Sequence, residues 1–174
     1  LSDVKNLAVV TPVFMDVSNS TVRADVDSLE TVYRDYGARL WRSIYLYSGD
    51  RDVASDAVAE AFAQALRRGG AIRSPERWVW RAAFRIAAGE LARQRQRTGD
   101  LPDRRYELPI ETTELLDALR MLPARQRAAI VLHYFGDYTL RETAGILAST
   151  PSAVGVQLYR GRKRLRELLG EDDA

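Results

Sequence analysis

The chain has 174 residues, 46% hydrophobic and 29% charged, with a formal net charge of +2, ordinary values for a globular protein of one or two small domains. It has no cysteine and one histidine, His133, which excludes disulfide scaffolds, thiolate or multi-histidine metal sites and cysteine nucleophiles. No apolar run approaches the roughly 18 residues a membrane span needs.

The charge distribution says more than the sum. Lys5 and Lys163 are the only lysines among the 26 basic residues; the rest are arginine. Heavy arginine use fits a GC-rich genome. It equally fits phosphate contacts, where the guanidinium fork binds two oxygens at once. The chain opens on Leu1 rather than Met, which points to a missing, processed or unusual start, and no signal-peptide pattern follows.

Residues 1–27 differ from the rest. Val9-Val10-Thr11-Pro12-Val13-Phe14-Met15 is β-branched and apolar, and Ser18-Asn19-Ser20-Thr21 reads as a loop. An extended or disordered arm of unknown role is expected there. From about residue 28 the pattern turns helical: Leu29, Val32, Tyr33, Tyr36, Leu40, Trp41, Ile44 and Tyr45 make one stripe at spacings of three and four. Ser48-Gly49-Asp50 ends it. A second helix runs from about Asp52 to Arg68 and stops at Gly69-Gly70. Ser74-Pro75 opens a third, as N-cap and first helical residue, which runs out in Arg93-Gln94-Arg95-Gln96-Arg97. Residues 98–113 contain two prolines, a glycine and no periodicity, the signature of a linker.

Helices resume at Glu114, with Leu115, Leu116, Leu119 and Leu122 on one stripe, and again after Pro123. Gly136-Asp137 breaks the pattern. Thr139-Leu140-Arg141-Glu142 is a capping box opening a short helix. Thr150-Pro151 opens the last helix, which Gly170 ends before the acidic tail 171–174. The expected fold is all-α: two small helical domains, 28–97 and 114–170, joined by a flexible linker, the second carrying a helix-turn-helix. In that motif Ala144 sits at the helix crossing, while Leu147, Val154 and Leu158 face inward. The second helix then exposes Ser152, Gly155, Val156, Tyr159, Arg160 and Lys163. Arg160-Gly161-Arg162-Lys163-Arg164-Leu165-Arg166 carries five positive charges in seven residues. Such a helix suits a major groove, reading bases with its N-terminal part and holding phosphates with its C-terminal charges.

These residues carry a resemblance. Leu122-Pro123-Ala124-Arg125-Gln126-Arg127, Val131-Leu132-His133-Tyr134-Phe135, Tyr138 to Ala144 and Tyr159 to Leu165 resemble the C-terminal domain of bacterial RNA polymerase sigma factors, most of all the extracytoplasmic-function group. Leu29 to Leu40, Gly49 to Ala54, Asp56 to Phe62 and Ser74 to Val79 are similar to the group's other domain. The resemblance covers roughly residues 28–169.

It implies a cytoplasmic, non-catalytic protein that binds core RNA polymerase and directs it to promoter DNA, with no cofactor and no membrane span, commonly held by an anti-sigma factor. By resemblance, residues 28–97 dock on the polymerase clamp through Asp56, Glu60 and Phe62, with Phe62 partly in the core. They also recognise and melt the minus-ten element through Arg73, Ser74, Trp78, Arg81 and Arg85, with the loop Gly69–Ser74 capturing a flipped base. Residues 114–170 hold the minus-thirty-five element through Arg141, Ser152, Gly155, Val156, Gln157, Tyr159, Arg160 and Lys163.

Three departures from the family pattern stand out. Ala59 replaces a glutamine on the docking helix. Arg85 or Gly89 stands where the third helix usually carries asparagine. Val154-Gly155-Val156-Gln157-Leu158 replaces Val-Lys-Ser-Arg-Leu, so two phosphate contacts are absent and the salt dependence of binding should flatten. Ala59 keeps open an alternative, a stand-alone helix-turn-helix regulator that never touches polymerase. A hydrolase or nuclease has almost no support. Trp41 and Trp80 read as packing residues and Trp78 as a base platform; His133 reads as structural.

Overall fold

A computed structural model gives the architecture and describes residues 16–98 and 110–170. Among the described residues there is no strand, in keeping with an all-α fold. Helix α1 spans Asp16–Ser48, α2 Arg51–Arg68 and α3 Pro75–Thr98; α4 spans Ile110–Arg120, α5 Ala124–Ile130, α6 Leu140–Ile146 and α7 Pro151–Leu169. The turn Gly69–Ala71 is a 3-10 helix, and α5 continues into a π-helical turn, Val131–Phe135.

Two boundaries differ from expectation. Helix α1 starts at Asp16, so the segment read as a loop near Ser18 is helical. Once nucleated, a helix gains one hydrogen bond per residue added, which outweighs weak propensities. Helix α4 starts at Ile110, inside the expected linker, with Glu111 in its first turn. The apolar stretch Val9–Met15, the central linker 99–109 and the acidic tail 171–174 lie outside the described residues.

Helices α1, α2 and α3 pack pairwise into the first module. Asp50 caps α2 by accepting from the Asp52 and Val53 amides. Ala54, Ala57, Ala61 and Ala65 form a fully buried row on α2; spacings of three and four put them on one face, and small side chains let neighbouring helices approach closely. In the second module, Leu119, Leu122, Ala129, Ile130, Ala144, Val154 and Leu158 form the core. Gly161 lies where α7 crosses α5: a methyl there would come 3.0 Å from Ile130 Cγ1.

The modules are not isolated from each other. Ala128, Val131, Leu132, Tyr138 and Ile146 of the second belong to the same buried cluster as Ile44, Trp80 and Phe84 of the first, where separate cores were expected. The π-helical turn makes this possible. The Gly136 amide donates to Val131 O and the Tyr138 amide to Leu132 O. Asp137 then takes φ +60°, a conformation aspartate tolerates, and the chain folds back onto Trp80. Tyr138 meets Trp80 edge-on with ring centroids 4.9 Å apart, and its hydroxyl donates to Glu76 at 2.8 Å. Burial, with the Glu76 carboxylate second, pushes the Tyr138 hydroxyl pKa far up, so it remains a donor. A methyl on Gly136 would lie 3.2 Å from Trp80 Cζ3 and 2.7 Å from Leu132 O, so only glycine permits this approach.

Charged groups complete the interface. Arg77 pairs with Glu142 at 2.8 Å, and Arg120 donates to Gly49 O. Arg127 is 1% exposed, with its guanidinium 5.3 Å from the Tyr47 ring and one bond to Arg120 O at 3.3 Å. Its Nε and Nη2 have no partner. His133 Nδ1 lies 2.8 Å from Tyr138 O, the structural role expected of it; since a carbonyl can only accept, Nδ1 carries the proton.

Candidate nucleic-acid interface

The helix-turn-helix is built as its caps dictate. Thr139 accepts from the Glu142 amide and Glu142 reaches back to the Thr139 amide, a complete capping box on α6. Thr150 caps α7 through the Ala153 amide, Pro151 takes the first position, and Gly170 ends the helix at φ +71°. With Val154 and Leu158 buried, α7 must turn its other residues outward. Ser152, Val156, Tyr159, Arg160 and Lys163 are exposed, Tyr159 at 64%; Gly155 and Gln157 are half-buried. Arg162 donates to the Tyr134 hydroxyl and Arg164 pairs with Glu167. Among the described residues Arg160 and Lys163 form no ion pair, so both cations remain available to phosphates or base edges.

A second basic surface lies at the start of α3. Arg73, Ser74, Trp78 and Arg81 line a cavity of about 590 Å³. Trp78 is half-buried, with the Arg68 guanidinium 5.4 Å from its ring centroid; Trp80, two residues on, is fully buried. Arg85 does not join this surface: it donates to Gln64 of α2. Arg77 does join it, and the sequence reading passed it over, although Arg77 and Arg81 are four apart on one helix face.

The opposite wall of this cavity comes from the second module. Thr139, Arg141, Glu142, Gly145 and Ile146 lie there. Arg141, expected at one DNA element, thus shares a cavity with Arg73 and Trp78, expected at another. Glu142 binds Thr139 and Arg77 together, and those bonds, the Thr139 amide first, hold its carboxyl below the usual range.

The third surface is an acidic groove of about 650 Å³ between α2 and α3, lined by Asp50, Asp52, Asp56, Glu60 and Glu90, with Arg93 and Arg97 both paired to Glu90. Glu60 accepts from Gln64 at 2.9 Å and Arg67 at 2.7 Å, and these bonds, Gln64 first, lower its pKa. Asp56 and Glu60 are exposed and share this face. Phe62 does not: it packs edge-on against Tyr33 of α1, ring centroids 5.2 Å apart. Among the described residues no group of histidine or acidic side chains is arranged to hold a metal ion, and no helix is long and apolar enough to cross a membrane.

Comparison with known proteins follows the same outline. A family model described as "Sigma-70, region 4" matches residues 112–165. The RNA polymerase sigma factor SigV of Bacillus subtilis is 29% identical over 154 residues, which cover 83% of this chain and 93% of that protein. The ECF RNA polymerase sigma factor SigM of Mycobacterium tuberculosis is 28% identical over 159 residues, covering 86% and 81%. Among solved structures, the sigma factor RpoE in complex with the anti-sigma factor NepR from Bartonella quintana superposes with a TM-score of 0.67 at 20% identity, covering 84% of this chain and 97% of that one. At that identity the likeness establishes the fold.

Proposed function

The chain belongs to the sigma-70 family of RNA polymerase sigma factors, in the extracytoplasmic-function group, and on that premise we propose how its surfaces divide promoter recognition. It directs core RNA polymerase to promoters in the cytoplasm and catalyses no reaction itself. Residues 28–97 and 114–170 are the two working domains. The acidic groove, through Asp56 and Glu60, takes a basic helical element of core polymerase. Phe62 supports that helix from behind by packing on Tyr33.

The surface of Arg73, Ser74, Arg77, Trp78 and Arg81 receives the minus-ten element. Opening the duplex there means unstacking a base, at a cost of a few kcal/mol. Stacking on an aromatic face offsets about 1–3 kcal/mol of that, and half-buried Trp78 is the aromatic side chain on this surface. Arg85 is set aside from it by its bond to Gln64. Helix α7 reads the minus-thirty-five element with Ser152, Gly155, Val156, Gln157, Tyr159 and Arg160. Lys163 rests on phosphate, and Arg141 supports the motif's first helix. The observation that carries the reading is that Arg160 and Lys163 stand exposed and, among the described residues, without an ion pair on the α7 of a capped helix-turn-helix.

The docked modules cannot read both elements at once. Minus ten and minus thirty-five are about 25 base pairs apart, roughly 85 Å of duplex at 3.4 Å per pair. A compact chain of this length has a radius of gyration of only about 16 Å. Arg141 and Trp78 line one cavity. The modules therefore separate on the promoter, and the docked form is the one an anti-sigma factor would hold. Co-purification with core polymerase tests this reading; operator binding by the free chain, without polymerase affinity, would favour a stand-alone regulator.

A further inference from the structure

The N-terminal part of α1 lies before the segment that carries the family resemblance, and the function above leaves it unused. It runs beside the turn between α2 and α3. Asp25, half-buried, presents its carboxylate to Gly69 and Gly70: a methyl built on Gly69 would come 3.0 Å from Asp25 Oδ2, and one on Gly70 3.5 Å from both carboxylate oxygens. Gly69 has φ +54° and ψ −143°, a backbone region essentially closed to other residues. The conformation requires glycine at the root of this loop, and the Asp25 carboxylate lies against it. Among the described residues Asp25 forms no ion pair, although Arg67, Arg68 and Arg73 are close in sequence to the turn it touches. Its acceptor capacity is unspent.

Resting on the assignment of the Gly69–Ser74 loop to base capture, we propose that Asp25 is a specificity-determining residue of the minus-ten reader. An ionised carboxylate can only accept hydrogen bonds. At the edge of a base-capture loop it accepts from an exocyclic amine, carried on the pairing edge by cytosine, adenine and guanine but not by thymine. Thymine offers only its ring N3–H, flanked by two carbonyl oxygens that the carboxylate opposes. The carboxylate also repels phosphate, so the strand's backbone runs on the Arg73, Arg77 and Arg81 side while the base points toward Asp25. The helical extension of α1 would then be what sets this chain's promoter preference apart from relatives lacking it.

The test uses the full chain with core polymerase and a promoter found by transcription of genomic fragments. Each non-template position of the minus-ten element is varied in turn, and strand opening is followed by permanganate reactivity and by 2-aminopurine fluorescence. The wild type should favour an amine-bearing base over thymine at one captured position by about tenfold, the scale of one charge-assisted hydrogen bond at a half-exposed site. Asp25→Asn, which keeps the shape but can also donate to thymine, should bring that ratio within twofold. Asp25→Ala should do the same, and preferences at other positions should not move. Retention of the full preference by both variants, or a wild type indifferent at every position, overturns the proposal. Trp78→Ala and Arg73→Ala serve as controls. If neither alters opening, the loop assignment itself fails and takes the proposal with it; if they impair opening while Asp25 variants change nothing, only the role of Asp25 fails.

Discussion

Tyr138→Phe should loosen the docked arrangement without unfolding either module. The substitution removes one hydroxyl, which donates at 2.8 Å to Glu76, and leaves the ring on Trp80. A hydrogen bond to a charged acceptor contributes about 1.5–3 kcal/mol. Glu76 is half-buried, so water can partly replace the lost donor and the low end, about 1.5 kcal/mol, applies. That is roughly a tenfold shift from docked to separated. The Arg77–Glu142 pair should matter less: the Arg77 side chain is 61% exposed, and exposed pairs contribute about 0.2–1 kcal/mol. Because the chain has no cysteine, two introduced at exposed Ala88 on α3 and Ala153 on α7 can be labelled for energy transfer. The separated population should rise about tenfold in Tyr138→Phe and less than fivefold in Arg77→Ala. An unchanged distance distribution in Tyr138→Phe would refute the claim that this bond holds the modules together.

Arg160→Ala should relax preference at one position of the upstream element by about 1–3 kcal/mol, whereas Lys163→Ala should weaken binding to all sequences alike and flatten the salt dependence; promoter-binding titrations at several salt concentrations separate the two. Charge reversal at Asp56 and Glu60 together should weaken core polymerase binding while thermal stability is retained, as measured by co-purification and a melting curve. Arg127→Met should be neutral or stabilising by about 1–2 kcal/mol in denaturant unfolding, because it replaces a buried cation with two unpartnered nitrogens by an apolar chain. The Glu142 carboxyl lies below its ordinary value, through Thr139 of its own module first and Arg77 after, so its pairing with Arg77 is complete above about pH 4.5 and is lost as pH falls through the lower folded value; energy transfer against pH should show a small rise in separation there. Glu142→Gln, which keeps the cap, should remove that dependence.

The helices and their ends could be read from the sequence because they are local. Asp50, Thr139, Thr150 and Pro151 start helices, and Gly170 stops one, through bonds to residues at most four positions away. The register of α7 followed the same way: burying Val154 and Leu158 leaves Tyr159 and Arg160 outside. The partly core position of Phe62 follows from helix geometry too. Two residues from Glu60 is about 200° around a helix, so the two cannot share a face. The same arithmetic separates Trp78 from buried Trp80. What periodicity could not supply was the docking of the modules. Gly136-Asp137 reads as a helix break, and it is one, but its consequence is that Tyr138 returns to Trp80 and Glu76 about sixty residues earlier in the chain, a pairing no local pattern encodes. Helix α1 begins earlier than its polar first turns suggest, because a stretch resembling a loop is carried along by the helix that follows it.

The central claim is that the chain gives core polymerase its promoter choice. In-vitro transcription with purified core polymerase, the chain and genomic fragments tests it most directly. Transcripts should start at discrete sites only when the chain is added, and they should be lost with reversal of Asp56 and Glu60. Absence of chain-dependent initiation on every fragment, with the free chain still binding DNA specifically, would contradict it.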